Sequence, residues 1–94
     1  MTKNWMVYLV ECADATLYCG VTTDMEQRLL KHNQGTASKY TRGRRPVRLV
    51  AQCPHLTRSQ ALKLEYQIKQ LPAGRKIETL LHKAKANECP DHTP

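Results

Sequence analysis

Phenylalanine is absent from this chain, and glycine occupies only four positions. Without Phe, a core must be built from Leu, Val, Ile and Ala, with Trp5 and the four tyrosines for bulk. The four glycines form no phosphate-cradling loop, and no HExxH or Ser-His-Asp order is present. No apolar run is longer than Trp5–Val10, six residues, which is too short for a membrane span or a signal core. No membrane association is expected, and the expected setting is the cytoplasm. Cysteine offers no CxxC pair: Cys12, Cys19, Cys53 and Cys89 are widely spaced, as suits a reducing compartment. Cys53-Pro-His55 and Cys89-Pro-Asp-His92 could be drawn as a zinc site. The first pair is too tightly spaced for ordinary ligand knuckles and the second lies in a Pro-rich tail, so zinc is not expected.

Acid is the scarcest resource where base is most plentiful. From Gln27 to Ile77 there are twelve Lys and Arg against one carboxylate, Glu65. The whole chain of 94 residues carries a net charge of +7. Such asymmetry points to a polyanionic partner, because neutralised phosphates release counterions and favour binding. The bland alternative is a generally basic small protein. A chain of this length buries roughly two-thirds of its unfolded surface, so one thin-cored domain is expected. That domain should span residues 1–86, with a flexible tail over 87–94 (NECPDHTP).

The residues spell out a short series of elements. Trp5–Val10 is continuously apolar and rich in β-formers, the pattern of a central strand buried on both faces. A four-residue polar break leads to Leu17–Thr22, where Leu17, Cys19 and Val21 alternate with Tyr18, Gly20 and Thr22. Two strands joined this closely should be antiparallel. Whether Tyr8 and Tyr18 share a face depends on a register the loop does not set. Thr23-Asp-Met-Glu26 reads as a capping box and Gly35 as the helix end. Arg28 and His32 fall on one side of that helix, at the edge of its packing face. Gln34–Pro46 has no helical or strand period and reads as a basic loop. A third strand follows from Val47 to Cys53, stopped by Pro54. Thr57-Arg-Ser-Gln60 opens a second helix that Pro72 ends. Ile77, Leu80, Leu81 and Ala84 mark a short third helix. The expected fold is α+β: a three-stranded antiparallel sheet flanked by helices, in the order β-β-α-β-α-α.

Few groups in this chain could do chemistry. Glu65 lies within the apolar arc of its helix, where a carboxylate is ordinarily paired or holds a metal; Lys69 at i+4 and Arg58 offer ordinary partners. Tyr8 and Tyr18 taken singly are ordinary core filler. On paired strands, with Gly20 leaving backbone room beside Tyr18, they suggest close approach of a ligand. Arg28 and His32 suit a phosphate and a proton, or simply a solvated helix face. Lys31, Lys39, Arg42, Arg44, Arg45 and Arg48 form a phosphate-tracking set, and Tyr40 among them could stack on a base. Together these groups suit phosphodiester chemistry.

In this order, the residues resemble the GIY-YIG nuclease superfamily, and most of all its small stand-alone bacterial members, the YhbQ-like group. Val7-Tyr8-Leu9 stands where the family has Gly-Ile-Tyr or a variant, and Tyr18-Cys19-Gly20 stands for Tyr-Ile-Gly. Arg28 matches the helix arginine, His32 the position four residues on, and Glu65 the carboxylate of a later helix. The likeness covers roughly residues 4–84. The first motif lacks its glycine, and no clear match exists for the C-terminal asparagine of several nucleases; Asn87 lies in the tail. The resemblance implies a metal-dependent endonuclease acting on DNA, structure-specific or repair-related, with RNA left open and a protein partner as one source of specificity. It implies Mg²⁺ or Mn²⁺ on Glu65, phosphate charge stabilised by Arg28, Tyr8 as base or water-positioning group, Tyr18 orienting, and His32 as an alternative proton carrier. The alternatives are a nucleic-acid-binding module that keeps the fold without cleaving, and a basic adaptor for a protein partner.

Overall fold

A computed structural model describes residues 3–88. Strand β1 (Trp5–Glu11) and strand β2 (Leu17–Thr22) form an antiparallel hairpin. Helix α1 (Met25–Gln34) and a single-turn helix α2 (Lys39–Arg42) follow. Strand β3 (Arg48–Leu56), helix α3 (Arg58–Lys69) and helix α4 (Ala73–Glu88) complete the chain. The sheet order is β2-β1-β3, with both pairings antiparallel. The expected architecture stands, with α2 added to it.

The central strand owes its place to composition. Val7, Tyr8, Leu9 and Val10 are all buried, because both faces of β1 are covered. On one face Val7, Leu9, Cys19, Ala51 and Cys53 pack against Ala61, Leu64 and Ile68 of α3 and Leu80 and Ala84 of α4. On the other, Tyr8, Val10, Cys12 and Val47 pack with Tyr18, Met25, Leu29 and Leu49. A register shift in β3 makes both faces possible. Leu9 pairs with Ala51 and Val10 with Leu49, so Val50 is the extra residue of a bulge. The shift turns Leu49 to the face of Tyr8 while Ala51 stays on that of Leu9.

Several boundaries differ from those expected. The N-cap of α1 is Asp24, not Thr23: its carboxylate accepts from the Gln27 amide at 3.1 Å. Thr22 Oγ1 already accepts the Asp24 amide at 3.1 Å, which fixes the chain one residue later, and aspartate caps as well as threonine. The expected cap Gly35 is there, in the left-handed region at φ 84°. Strand β3 runs past Pro54 to Leu56, which an edge strand tolerates because a proline there need donate no ladder hydrogen bond. The Thr57–Gln60 capping box forms as expected. Helix α4 is longer than its apolar stripe and reaches Glu88. Residues 89–94, with Cys89, His92 and most of the expected tail, lie outside the described residues.

Candidate active site

Register first brings the two tyrosines together. Tyr8 pairs with Gly20 and Tyr18 with Val10, so both side chains leave the same sheet face. Their rings lie 6.5 Å apart. Gly20 is what lets Tyr8 lie flat across β2: a β-carbon there would stand 2.5 Å from the Tyr8 hydroxyl. The room expected beside Gly20 for a ligand is therefore filled by the Tyr8 ring.

Helix α1 supplies the next group. His32 is fully buried rather than at the edge of its face. Its Nε2 lies 2.8 Å from the Tyr8 hydroxyl and its Nδ1 2.8 Å from Thr41 Oγ1. Its ring packs edge-on to both tyrosines, at 5.7 and 5.3 Å. Thr41 Oγ1 in turn reaches the Ser38 carbonyl, at 3.4 Å. With the Thr41 proton on that carbonyl, Nδ1–H donates to Thr41, Nε2 is the acceptor, and the Tyr8 hydroxyl donates to it. The remaining lone pair of Tyr8 is then left for a group outside this chain of bonds. Burial holds the His32 pKa below its ordinary 6.5, with the Arg28 charge adding to the effect. Burial also pushes the Tyr8 phenol well above its ordinary range. The neighbouring Tyr18 raises it further, Arg28 opposes, and Glu65 adds a smaller upward push. Tyr8 and His32 are thus both neutral near pH 7, and Arg28 and Glu65 act on the same phenol from opposite signs.

Glu65 stands on α3, the helix packed on the sheet face opposite the tyrosines. Its side chain is 20% exposed and pairs with Lys69 Nζ at 3.2 Å, the i, i+4 partner expected from the sequence. The Lys69 ammonium lies 6.0 Å from the centre of the Tyr18 ring, joining α3 to the tyrosine pair. Arg58, the other partner foreseen for Glu65, lies instead over Trp5 at 5.8 Å. No group of three or more His, Cys, Asp or Glu side chains is gathered among the described residues. A lone, part-buried carboxylate beside open solvent still fits Mg²⁺ or Mn²⁺, because such hard cations keep several waters and take phosphate oxygens as ligands. Cys19, against the same face of α3, is no nucleophile: burial, then Glu65, pushes its thiol up to about 12.

The basic segment is more ordered than its sequence suggests. Ser38 caps α2, accepting from the Tyr40 amide at 3.0 Å. That turn delivers Thr41 to His32 and stacks Tyr40 on Tyr18, with ring centres 5.8 Å apart. Arg44 is committed to this packing. Its guanidinium lies 4.1 Å from the Tyr40 ring, bonds the Tyr40 carbonyl and pairs with Asp14 at 3.0 Å. Arg48 pairs with Glu11 at 2.6 Å, and Arg45 bonds the Arg42 carbonyl at 2.8 Å. Of the six cations expected to track phosphate, these three therefore have internal work. Lys31, Lys39 and Arg42 are exposed and make no ion pair with the other described residues. Thr41 and Asn33 escaped the sequence reading. Asn33 brackets Val47, accepting its amide at 2.8 Å and donating to its carbonyl at 3.1 Å. Neither residue carries a spacing signal that would have marked it.

A cavity of about 540 Å³ opens elsewhere, along the outer side of α1 between Asp24, Glu26, Gln27, Leu29, Leu30 and Asn33. It holds none of the groups that could act on a phosphodiester, so the chemistry favours the tyrosine cluster.

A three-stranded antiparallel sheet flanked by helices, with two tyrosines and an α1 histidine gathered on one face, defines a small α+β domain of the kind found in one nuclease family. The chain matches the model of the GIY-YIG catalytic domain over residues 4–77, and it belongs to that family. It is similar to the UPF0213 protein of Nitratidesulfovibrio vulgaris, 47% identical over 76 residues, 81% of this chain and 69% of that one. A UPF0213 protein of Staphylococcus saprophyticus is 46% identical over 80 residues, 85% and 96% of the two chains. The solution structure of the UPF0213 protein of Bacillus halodurans aligns with a TM-score of 0.52 at 37% identity, covering 96% of this chain and 98% of that one. A second solution structure, of an E. faecalis protein, gives 0.57 at 37% identity over 85% and 88%. No helix among the described residues is long and apolar enough to cross a membrane.

Proposed function

We propose that this protein is a divalent-metal-dependent endonuclease that hydrolyses phosphodiester bonds in DNA, with structure-specific or repair-related action. The observation that carries the reading is the bonded series Tyr8–His32–Thr41, whose phenol also feels the opposed charges of Arg28 and Glu65. A water that reaches the remaining lone pair of Tyr8 attacks phosphorus. As the new P–O bond forms, the water proton passes to the Tyr8 oxygen and the Tyr8 proton passes to His32 Nε2. Neither a free phenolate nor a solvated imidazolium is needed beforehand, which suits two groups that burial keeps neutral. Arg28 neutralises the charge growing on the non-bridging oxygens, and the bond to the leaving oxygen breaks, that oxygen taking a proton from solvent. Tyr18 holds the Tyr8 and His32 rings in place. Glu65 is the group that would hold Mg²⁺ or Mn²⁺, which supplies Lewis-acid stabilisation at the phosphate.

The Glu65–Lys69 ion pair favours a second reading, because a carboxylate already neutralised has less call for a cation. In that reading the protein binds nucleic acid and does not cleave it. Cleavage of plasmid and branched DNA in Mg²⁺, Mn²⁺ and EDTA separates the two. The nuclease reading expects metal-dependent products from the wild type, a fall of at least about 100-fold in Glu65→Ala and a comparable fall in Tyr8→Phe. If wild type and Glu65→Ala behave alike in every condition while both bind DNA, the binding module stands and the nuclease does not.

A further inference from the structure

Helix α3 and the tyrosine cluster lie on opposite faces of the sheet, yet one α3 side chain approaches the Tyr18 ring. The route is the outer edge of β2, the end strand of the order β2-β1-β3. Cys19 of β2 packs with α3, while its neighbour Tyr18 packs on the other face. Lys69 stands in the last turn of α3. The Lys76 ammonium fixes the backbone there, bonding the Ile68 carbonyl at 2.9 Å and the Lys69 carbonyl at 3.3 Å. From this anchored position the Lys69 ammonium has two neighbours of different character. The Glu65 carboxylate is 3.2 Å away, an ion pair. The centre of the Tyr18 ring is 6.0 Å away, the outer limit of useful cation–π attraction.

Resting on the nuclease reading, we propose that Lys69 is a tethered cation with two stations: it neutralises Glu65 while no metal is bound, and moves onto the Tyr18 ring when a divalent ion takes that carboxylate. Glu65 makes no other ion pair among the described residues, and its side chain is only 20% exposed. A bare carboxylate so sheltered is costly, which the lysine prevents. An ammonium and a divalent ion repel each other, so they cannot share the same carboxylate oxygens at close range. Lys69 is 49% exposed on a flexible four-carbon stem, so its ammonium can move while its backbone stays. The ring of Tyr18 is the nearer stop, ahead of bulk water. Its centre lies 6.5 Å from that of Tyr8 and 5.3 Å from that of His32. Positive charge is therefore released to the tyrosine cluster in the same step that loads Glu65. Loading of Glu65 and capture of a phosphodiester at the tyrosines then support each other. The Glu65–Lys69 pair becomes the resting state of a protein that cleaves.

The test is proton–carbon NMR of the full chain, free of DNA, titrated with Mg²⁺ and followed at the Lys69 side chain. Lys69→Arg identifies the Lys69 signals by their loss. The ε-methylene protons should move upfield as Mg²⁺ is added, as protons brought over an aromatic face do. In Glu65→Gln, where no carboxylate holds the ammonium, they should start at the upfield position and ignore Mg²⁺. Lys69→Ala should bind Mn²⁺ about two- to fivefold more tightly than the wild type by electron paramagnetic resonance, the competing pair having been removed. Lys63→Ala, which removes a charge from the same helix, should change that affinity less than about 1.5-fold. Lys69 signals that ignore Mg²⁺, move other than upfield or respond equally in Glu65→Gln overturn the proposal. So does a Mn²⁺ affinity that Lys69→Ala leaves unchanged. Metal-dependent cleavage lost in Glu65→Ala would then still uphold the nuclease reading, so the two fail separately.

Discussion

The Tyr8 hydroxyl has two neighbours that decide what it can do: a backbone with no side chain at Gly20 and an imidazole at His32. The imidazole has the clearest signature. Burial keeps the His32 pKa below 6.5, its ordinary value and the value it recovers on unfolding. The unfolded chain therefore binds the extra proton more readily than the folded one, and stability rises with pH through this window. The contribution is fully present above about pH 6.5 and is lost as pH falls toward the depressed folded value. Protonation would also put a donor on Nε2, where the Tyr8 proton already sits. Thermal unfolding followed from pH 7.5 down to 5 should show a falling midpoint in the wild type. His32→Asn should have a lower midpoint at pH 7.5 and a flatter pH dependence. Parallel curves for the two proteins would show that His32 is not the titrating group.

At the scale of elements, what the sequence made legible was what periodicity and caps encode. The apolar run of β1, the alternation of β2, the box at Thr57 and the glycine after α1 all lie where their local chemistry puts them. What it left dark was set by contacts distant in sequence. Helix α2 has no period of its own at four residues and is held from outside, through Thr41 to His32 and through Arg44 to Asp14 and to the Ala13 amide. The same contacts withdrew Arg44 from the surface set, which no count of charges could reveal. The bulge at Val50 is likewise decided by which residues β1 must bury on each face. Asn33 is the most specific of these distant contacts, since both of its amide bonds go to the backbone of Val47. Asn33→Ala leaves that amide and carbonyl without partners in a part-buried place, at a cost of about 1–3 kcal/mol. Hydrogen exchange should quicken across 36–47, the segment that Asn33 pins to α1, while β1 keeps its protection. Uniform quickening of β1 along with 36–47 would mean that Asn33 supports the whole domain rather than the mounting of α2.

At the scale of the molecule, the excess of positive charge is unevenly available. Arg44, Arg48, Lys69 and Arg75 are each paired with a carboxylate, whereas Lys31, Lys39 and Arg42 are exposed on α1 and α2. An ion pair must be broken before its cation can neutralise a phosphate, so net charge overstates the footprint. The three exposed cations should carry most of the salt dependence. For duplex DNA each phosphate contact contributes about 0.9 to the slope of log affinity against log salt. The triple substitution Lys31→Ala, Lys39→Ala, Arg42→Ala should therefore flatten that slope by about 2 to 3. Arg48→Ala should change it by less than about 0.5, because Glu11 already holds that guanidinium. Titrations across a range of salt, with each variant's midpoint of unfolding checked, read both numbers. An equal loss of slope from Arg48→Ala and from any one of the three would mean that DNA crosses the sheet edge at β3 instead, running past Glu11 and away from α2.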